Sequence, residues 1–184
     1  MAITALTLAV ICAILAGCAF KKQPFKGVTG YHKGKVYLTP NRYYAKGLYY
    51  TVGELPSDWK RMNTRARTIS FYNDAYLSSI STDAWCGRNI KDRTLDSLTG
   101  DMVTVLQDRT FSEEKKLTLG GRGAIRQRIS GEAEGVPTVI DLVTVRKGDC
   151  VFDFYLISQG GAPIEATEDF ESFFGAFYYE VPKP

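Results

Sequence analysis

Val136-Pro137-Thr138-Val139-Ile140-Asp141-Leu142-Val143-Thr144-Val145-Arg146-Lys147-Gly148-Asp149-Cys150-Val151-Phe152-Asp153-Phe154-Tyr155-Leu156-Ile157 is the stretch that decides the fold. Two β-branched and aromatic runs flank Arg146-Lys147-Gly148-Asp149, a tight-turn composition, so the stretch reads as a β-hairpin. The second run is apolar at nearly every position, which predicts a central strand covered on both faces. Asp153 interrupts it, and an Asp at such a place is expected to face inward and pair with an arginine such as Arg126 or Arg128, in a structural role.

Working outward, 122–130 precedes the hairpin as a further strand, entered through a Gly120-Gly121 turn. The spacing predicts another strand around 111–119. A helix is expected before it, capped by Asp92 or Thr94, because Leu95, Leu98, Met102, Val105 and Leu106 recur at helical spacing and Gly100 weakens the pattern only slightly. Earlier still, 48–52, 68–72 and 76–82 have strand composition, and Asn73-Asp74 marks a turn between the last two. Leu55-Pro56-Ser57-Asp58-Trp59 reads as a turn with a buried aromatic. Past the hairpin, Phe170, Phe173, Phe174 and Phe177 fall at i, i+3, i+4 and i+7 and predict a closing helix over 167–179. Thr167 would cap it, with Glu168 and Asp169 favoured by the helix dipole. Strands adjacent in sequence imply antiparallel pairing, so the expected class is α+β: an antiparallel β-sheet covered by helices.

The extreme N-terminus has a different character. Residues 1–17 carry no charge and are dominated by Ala, Ile, Leu, Val and Thr. The run is shorter than the ~20 residues of a membrane-spanning helix and has the form of a secretory signal, although the usual basic residue before it is missing. It ends in Leu15-Ala16-Gly17-Cys18, which resembles the bacterial lipobox. That resemblance implies lipidation of the Cys18 sulfur with palmitate-class acyl chains and cleavage that leaves Cys18 as the new N-terminus. Ala19 follows the cysteine where an Asp would favour inner-membrane retention, so the expected location is the periplasmic side of the cell envelope, the outer membrane favoured. The domain division is then a signal peptide over 1–17, a basic, Tyr-rich linker over 18–47 and one α+β domain over 48–180.

Charge is divided unevenly. Eleven Lys or Arg lie between Cys18 and Arg67 against Glu54 and Asp58, giving +9, while 68–184 carries −6; the whole chain is +3. Lys21, Lys22, Lys26, Lys33 and Lys35, next to the anchor, form a candidate membrane-surface patch, because each basic residue near an anionic leaflet contributes about 1 kcal/mol. A solvated linker is the other reading. Tyrosines lie among these charges, but export argues against nucleic acid as a partner. Cys12 falls in the segment removed and Cys18 takes the lipid, which leaves Cys86 and Cys150. In an oxidising compartment they are expected to form a disulfide closing a loop of about 65 residues; the alternative is two buried thiols.

The order of Leu55-Pro56-Ser57-Asp58-Trp59, the helix after Cys86, Leu119-Gly120-Gly121-Arg122-Gly123-Ala124, the hairpin through Gly148 and the Phe-rich closing helix resembles the PsbP-like fold over roughly 48–180. The resemblance implies an α/β/α sandwich and, by analogy alone, a non-enzymatic binding or assembly factor.

The search for chemistry supports no enzyme. His32 is the only histidine and lies in the linker, so neither a Ser-His-Asp nor a zinc site is expected, nor any cofactor. Two carboxylate groups, Asp83, Asp92, Asp96 and Asp101, and Asp141, Asp149 and Asp153, read as surface or capping residues apart from the inward-facing Asp153, with a carboxylate-only hydrolase as a minor reading. The expected function is a membrane-anchored binding or assembly module with an envelope protein partner. The alternative is a carrier for lipid or another apolar ligand, with aromatic residues lining a pocket between sheet and helix.

Overall fold

A computed structural model describes residues 48–63, 68–91, 93–101, 103–112 and 114–180, together with the backbone of three short strands at 30–32, 35–37 and 42–45. Those three are β1 (Gly30–His32), β2 (Lys35–Tyr37) and β3 (Arg42–Ala45). They precede β4 (Leu48–Thr51), β5 (Lys60–Arg61), β6 (Ile69–Asn73) and β7 (Ser78–Cys86). Two short helices follow, α1 (Arg88–Lys91) and α2 (Leu95–Asp101). Then come β8 (Gln107–Phe111), β9 (Lys115–Leu119), β10 (Arg122–Ala133), β11 (Val136–Lys147) and β12 (Cys150–Gln159). Helix α3 (Ile164–Gly175) and β13 (Tyr178–Glu180) close the described chain.

The principal sheet is antiparallel, in the order β5-β6-β7-β12-β11-β10-β8, with β9 also pairing β10. The apolar run at 150–157 is thus an internal strand, with neighbours on both sides, as its composition predicts. The β11–β12 hairpin closes through Gly148-Asp149, with Lys147 opposite Cys150. The β10–β11 hairpin closes through Glu134-Gly135, both at positive φ (52° and 79°), the backbone that matches the strand twist in a two-residue loop. A second small sheet has the order β13-β4-β3, so Arg42–Ala45, inside the segment read as linker, pairs with Leu48–Thr51.

Side chains alternate across β12 and sort the core into two faces. Phe152, Phe154 and Leu156 point to one face, with Ile80 from β7 and Val143 and Val145 from β11. There they meet Phe170, Phe173 and Phe174 of α3, and Phe177 just beyond it. Val151, Asp153 and Tyr155 point to the other face. Val151 packs with Ile90 of α1 and Leu98 of α2, and Tyr155 with Val103, Leu106, Ile129, Ile140 and Leu142. Each buried Phe or Leu stabilises by about 1.5–3 kcal/mol, so the aromatic face of α3 accounts for much of the fixing of that helix.

Several elements differ from expectation for local reasons. Helix α3 starts at Ile164, not Thr167. Pro163 takes the extended N-cap conformation, and its carbonyl accepts both the Thr167 amide (3.2 Å) and hydroxyl (3.2 Å), so Thr167 sits inside the first turn. The helix also ends earlier, at Gly175. Phe177 reaches the core through a turn whose amide donates to the Phe174 carbonyl at 2.9 Å. Thr94 is the cap of α2, its hydroxyl accepting the Ser97 amide at 3.2 Å. That helix stops at Asp101, so the predicted single face is divided: Leu98 packs on Val151, Leu106 on the β10–β11 side, and Val105 is 69 % exposed. Met102 lies outside the described residues. The strand expected over 111–119 is two strands. Between them Ser112 exchanges hydrogen bonds with Arg128 of β10, which is long enough to pair with both. The strand expected at 76–82 begins at Ser78, because the turn after Asn73 takes four residues, 74–77.

Candidate functional site

Cys18, the signal segment 1–17 and Lys21, Lys22, Lys26 and Lys33 lie outside the described residues; of Lys35, as of His32, only the backbone in a short strand is described. Cys86 and Cys150 face one another directly on β7 and β12 and form a disulfide. The structure therefore resolves the choice between a bond and two thiols in favour of the bond.

The acidic residues are regrouped by strand register. Asp83 and Asp153 stand directly opposite on β7 and β12, although sequence placed them in different clusters. Asp153 is 2 % exposed, and the Thr144 hydroxyl donates to its Oδ1 at 2.8 Å. Asp83 accepts the Ala84 amide at 2.7 Å and the Thr68 hydroxyl at 3.1 Å. Burial, with a contribution from neighbouring Asp83 and against the Thr144 hydrogen bond, pushes the Asp153 carboxyl from 3.8 up to about 7. Directly opposed residues have Cβ atoms about 4.5–5.5 Å apart, so two full negative charges there repel strongly.

The arginine partner expected for Asp153 belongs to Asp141 instead. Arg126 donates from Nε (2.9 Å) and Nη2 (2.8 Å) to the two oxygens of Asp141, and Arg128 adds a bond from Nη2 at 2.9 Å. Arg126 Nη1 reaches Glu171 of α3 at 2.6 Å. The reason is the pleat. Arg128 stands opposite Asp141 and Arg126 opposite Val143, so all three acids and bases share the α3 face, whereas Asp153 belongs to the other. This network ties β10, β11 and α3 together. Trp59 makes a similar tie: it is buried, and its Nε1 donates to Asp169 at 2.8 Å.

A different group gathers at the end of the sheet near the disulfide. Arg122, Arg146, Lys147, Gly148 and Asp149 line an open notch of about 420 Å³. Strand alternation puts Arg122 and Lys147 on the α3 face, just beyond the last β10–β11 pair, Ala124 and Val145. Tyr179 of β13 lies against both. Its hydroxyl accepts Arg122 Nε at 3.4 Å, and Lys147 Nζ sits 4.9 Å from its ring centroid. Lys147 and Arg122 together lower the Tyr179 phenol below its ordinary value. Arg146 Nη1 donates to the Arg93 carbonyl. Sequence reasoning recorded the turn but not the notch. The available signal was a basic residue directly after one glycine turn, Arg122, and two directly before another, Arg146-Lys147.

The aromatic residues proposed to line a ligand pocket pack on one another instead. Phe154 lies 5.3 Å from Phe177 and Phe152 5.0 Å from Phe177, ring centre to ring centre, and Phe170 lies 5.0 Å from Phe174. The space between sheet and α3 is occupied by these rings.

No family model matches the sequence, and no curated protein matches it. Similar solved structures exist at low identity. A crystal structure from Bacteroides thetaiotaomicron VPI-5482 superposes with a TM-score of 0.51 at 14 % identity, covering 78 % of this chain and 48 % of that one. This chain thus spans about half the length of that protein, and the likeness is one of fold. PA94 of Pseudomonas aeruginosa, a protein of unknown function, gives 0.46 at 10 % identity, over 85 % of this chain and 97 % of that one. LpqN of Mycobacterium tuberculosis, involved in cell envelope biogenesis, gives 0.46 at 17 % identity, over 72 % and 84 %.

Proposed function

We propose that this protein is a lipoprotein of the bacterial cell envelope, anchored through acylated Cys18 on the periplasmic side, with the outer membrane favoured. Its folded domain, a PsbP-like arrangement of helices about an antiparallel sheet, acts as a non-enzymatic binding or assembly module for an envelope protein complex. The observation that carries the reading is the Cys86–Cys150 disulfide. Such bonds persist in oxidising compartments, which agrees with export by the 1–17 segment and with the Leu15-Ala16-Gly17-Cys18 pattern. Trp85 and Tyr178, each 57 % exposed, are the kind of aromatic side chain that anchors protein interfaces.

The test is native mass spectrometry of the full-length protein extracted from membranes in mild detergent, after crosslinking in cells. A chain beginning at Cys18, carrying acyl mass and a crosslinked envelope protein, is expected. Substituting Cys18→Ser should remove both the acyl mass and membrane retention. An unmodified chain beginning at Met1 overturns the anchor, and a lipidated chain with no protein partner overturns the assembly role.

A further inference from the structure

On the sheet face away from α3, Asp83 and Asp153 stand directly opposite each other on β7 and β12, 6 % and 2 % exposed. Asp153 lies between Val151 and Tyr155 on that face. Val151 packs on Ile90 of α1 and Leu98 of α2, and Tyr155 packs on Val103 and Leu106 just beyond them. The segment 88–106 therefore covers β12 on both sides of the carboxyl. Its hold is slight: α1 has four residues, α2 has seven, and their buried cluster with the sheet is Ile90, Leu98 and Val151. The other face is closed by the twelve-residue α3 and its aromatic rings. A charge created at Asp153 is thus separated from water by the lighter of the two covers.

We propose that Asp83 and Asp153 form a pH-operated catch: the cover stays closed while Asp153 keeps its proton, and loss of that proton lifts the 88–106 segment from the sheet into a minor open form. The surroundings leave the second charge unmatched. Thr144 of β11 donates to Asp153 and Thr68 of β6 to Asp83, and both hydroxyls are neutral. Tyr155, next along this face of β12, is held neutral because burial raises its phenol above the ordinary value. Arg146 stands two residues from Thr144 on β11, and its Nη1 donates to the Arg93 carbonyl, while the Arg93 guanidinium donates to Ser97. Of the described charged side chains on α1 and α2, Arg88 and Asp96 are exposed. Among the described residues no cation is ion-paired with Asp83 or Asp153. Burial and the neighbouring Asp83 raise the Asp153 carboxyl to about 7, so its proton leaves across the neutral range. Hydration of the ionised pair requires opening this face, and α1 and α2 separate from it at the cost of few buried side chains. The catch goes beyond the proposed assembly role and does not require the lipid anchor.

The test is hydrogen exchange of the full-length, detergent-solubilised protein from pH 5 to pH 8, corrected for the intrinsic rate. Mass spectrometry reads fragments covering 87–106, where the Ile90, Leu98 and Leu106 amides are hydrogen-bonded, and 139–145 of β11 for comparison. A carboxyl titrating at 3.8 when hydrated and about 7 when covered raises the open fraction about a hundredfold over that range. Protection of 87–106 should fall by that factor, and low concentrations of urea should leave its exchange unchanged, as for a local opening. Asp153→Asn should abolish the pH dependence. Asp83→Asn should lessen it, so either variant serves if the other does not fold. Asp96→Asn, at an exposed carboxylate of α2, should leave it intact. Protection of 87–106 independent of pH, or a fall that persists in full in the Asn variants of the pair, would overturn the catch. So would equal urea sensitivity of 87–106 and 139–145, which assigns the effect to global unfolding alone.

Discussion

Asp153→Asn should make this protein more stable, and increasingly so as pH rises. Asp153 is buried on β12 opposite Asp83, and its carboxyl titrates near 7 in the folded chain against 3.8 ordinarily. The folded state thus holds the proton more tightly than the unfolded state. Stability from this group is full below the unfolded value, falls as pH rises through the window from about 4 to 7, and is flat above it. Each pH unit in that window costs about 1.4 kcal/mol, so the ionised carboxylate costs about 4 kcal/mol at pH 8. Asparagine keeps the acceptor for the Thr144 hydroxyl, now 2.8 Å from Asp153 Oδ1, and brings a donor to the side of Asp83. The stability difference between variant and native protein should therefore grow by about 3 kcal/mol between pH 5 and pH 8. That corresponds to roughly 6–12 °C in Tm for a domain of this size. Urea unfolding of both proteins at several pH values measures it, and other titrating groups cancel in the difference. Parallel curves, or a variant less stable at pH 8, would refute the assignment of a strained carboxyl at this position.

Three further outcomes follow from the same packing. Asp141→Ala leaves Arg126 partly buried without its bidentate partner and should cost about 3–5 kcal/mol, seen as a lower urea midpoint at unchanged slope. Replacing both Cys86 and Cys150 by Ser opens a loop with a sequence separation of 64 and should cost about 4 kcal/mol on the chain-entropy account, a loss that reducing agent reproduces in the native protein only. Gly53→Ala places a methyl group 2.4 Å from the Ser172 carbonyl oxygen, against backbone that is already fixed by the Gly53 amide bond to Phe173 at 2.8 Å; a loss of about 1–3 kcal/mol is expected in thermal melts, with the Trp59 fluorescence transition moving in step.

Local chemistry made much of the architecture legible in advance. The β-branched and aromatic run through 136–157 specified a hairpin with an internal strand, because such residues stabilise a pleated surface covered on both sides and Gly148-Asp149 suits a two-residue loop. The spacing of Phe170, Phe173, Phe174 and Phe177 specified a helical aromatic face, and all four residues are in the core. The two cysteines remaining after Cys12 and Cys18 were recognised as a candidate pair by elimination. Helix ends were less legible: Thr167 has the chemistry of a cap, yet its hydroxyl and amide both bond back to the Pro163 carbonyl and the helix begins at Ile164.

What sequence could not decide was which polar groups meet. A strand presents alternate residues to opposite faces, and a neighbour's identity depends on register, which is fixed by contacts between segments far apart in the chain. Arg126 and Asp153 are equally plausible partners on paper. One residue of pleat separates Asp153 from that face and gives the arginine to Asp141, while register with β7 confronts Asp153 with Asp83, 70 positions away in sequence. The same geometry brings Arg122 beside Lys147 and folds Tyr179 of β13 against both. Sequence by itself determined the central hairpin and the aromatic helix face and offered Cys86 and Cys150 as a candidate pair, because those follow from the periodicity and chemistry of contiguous residues. The acid pair, the arginine network and the basic notch were decided only by tertiary structure, because each depends on strand pairing that no single segment encodes.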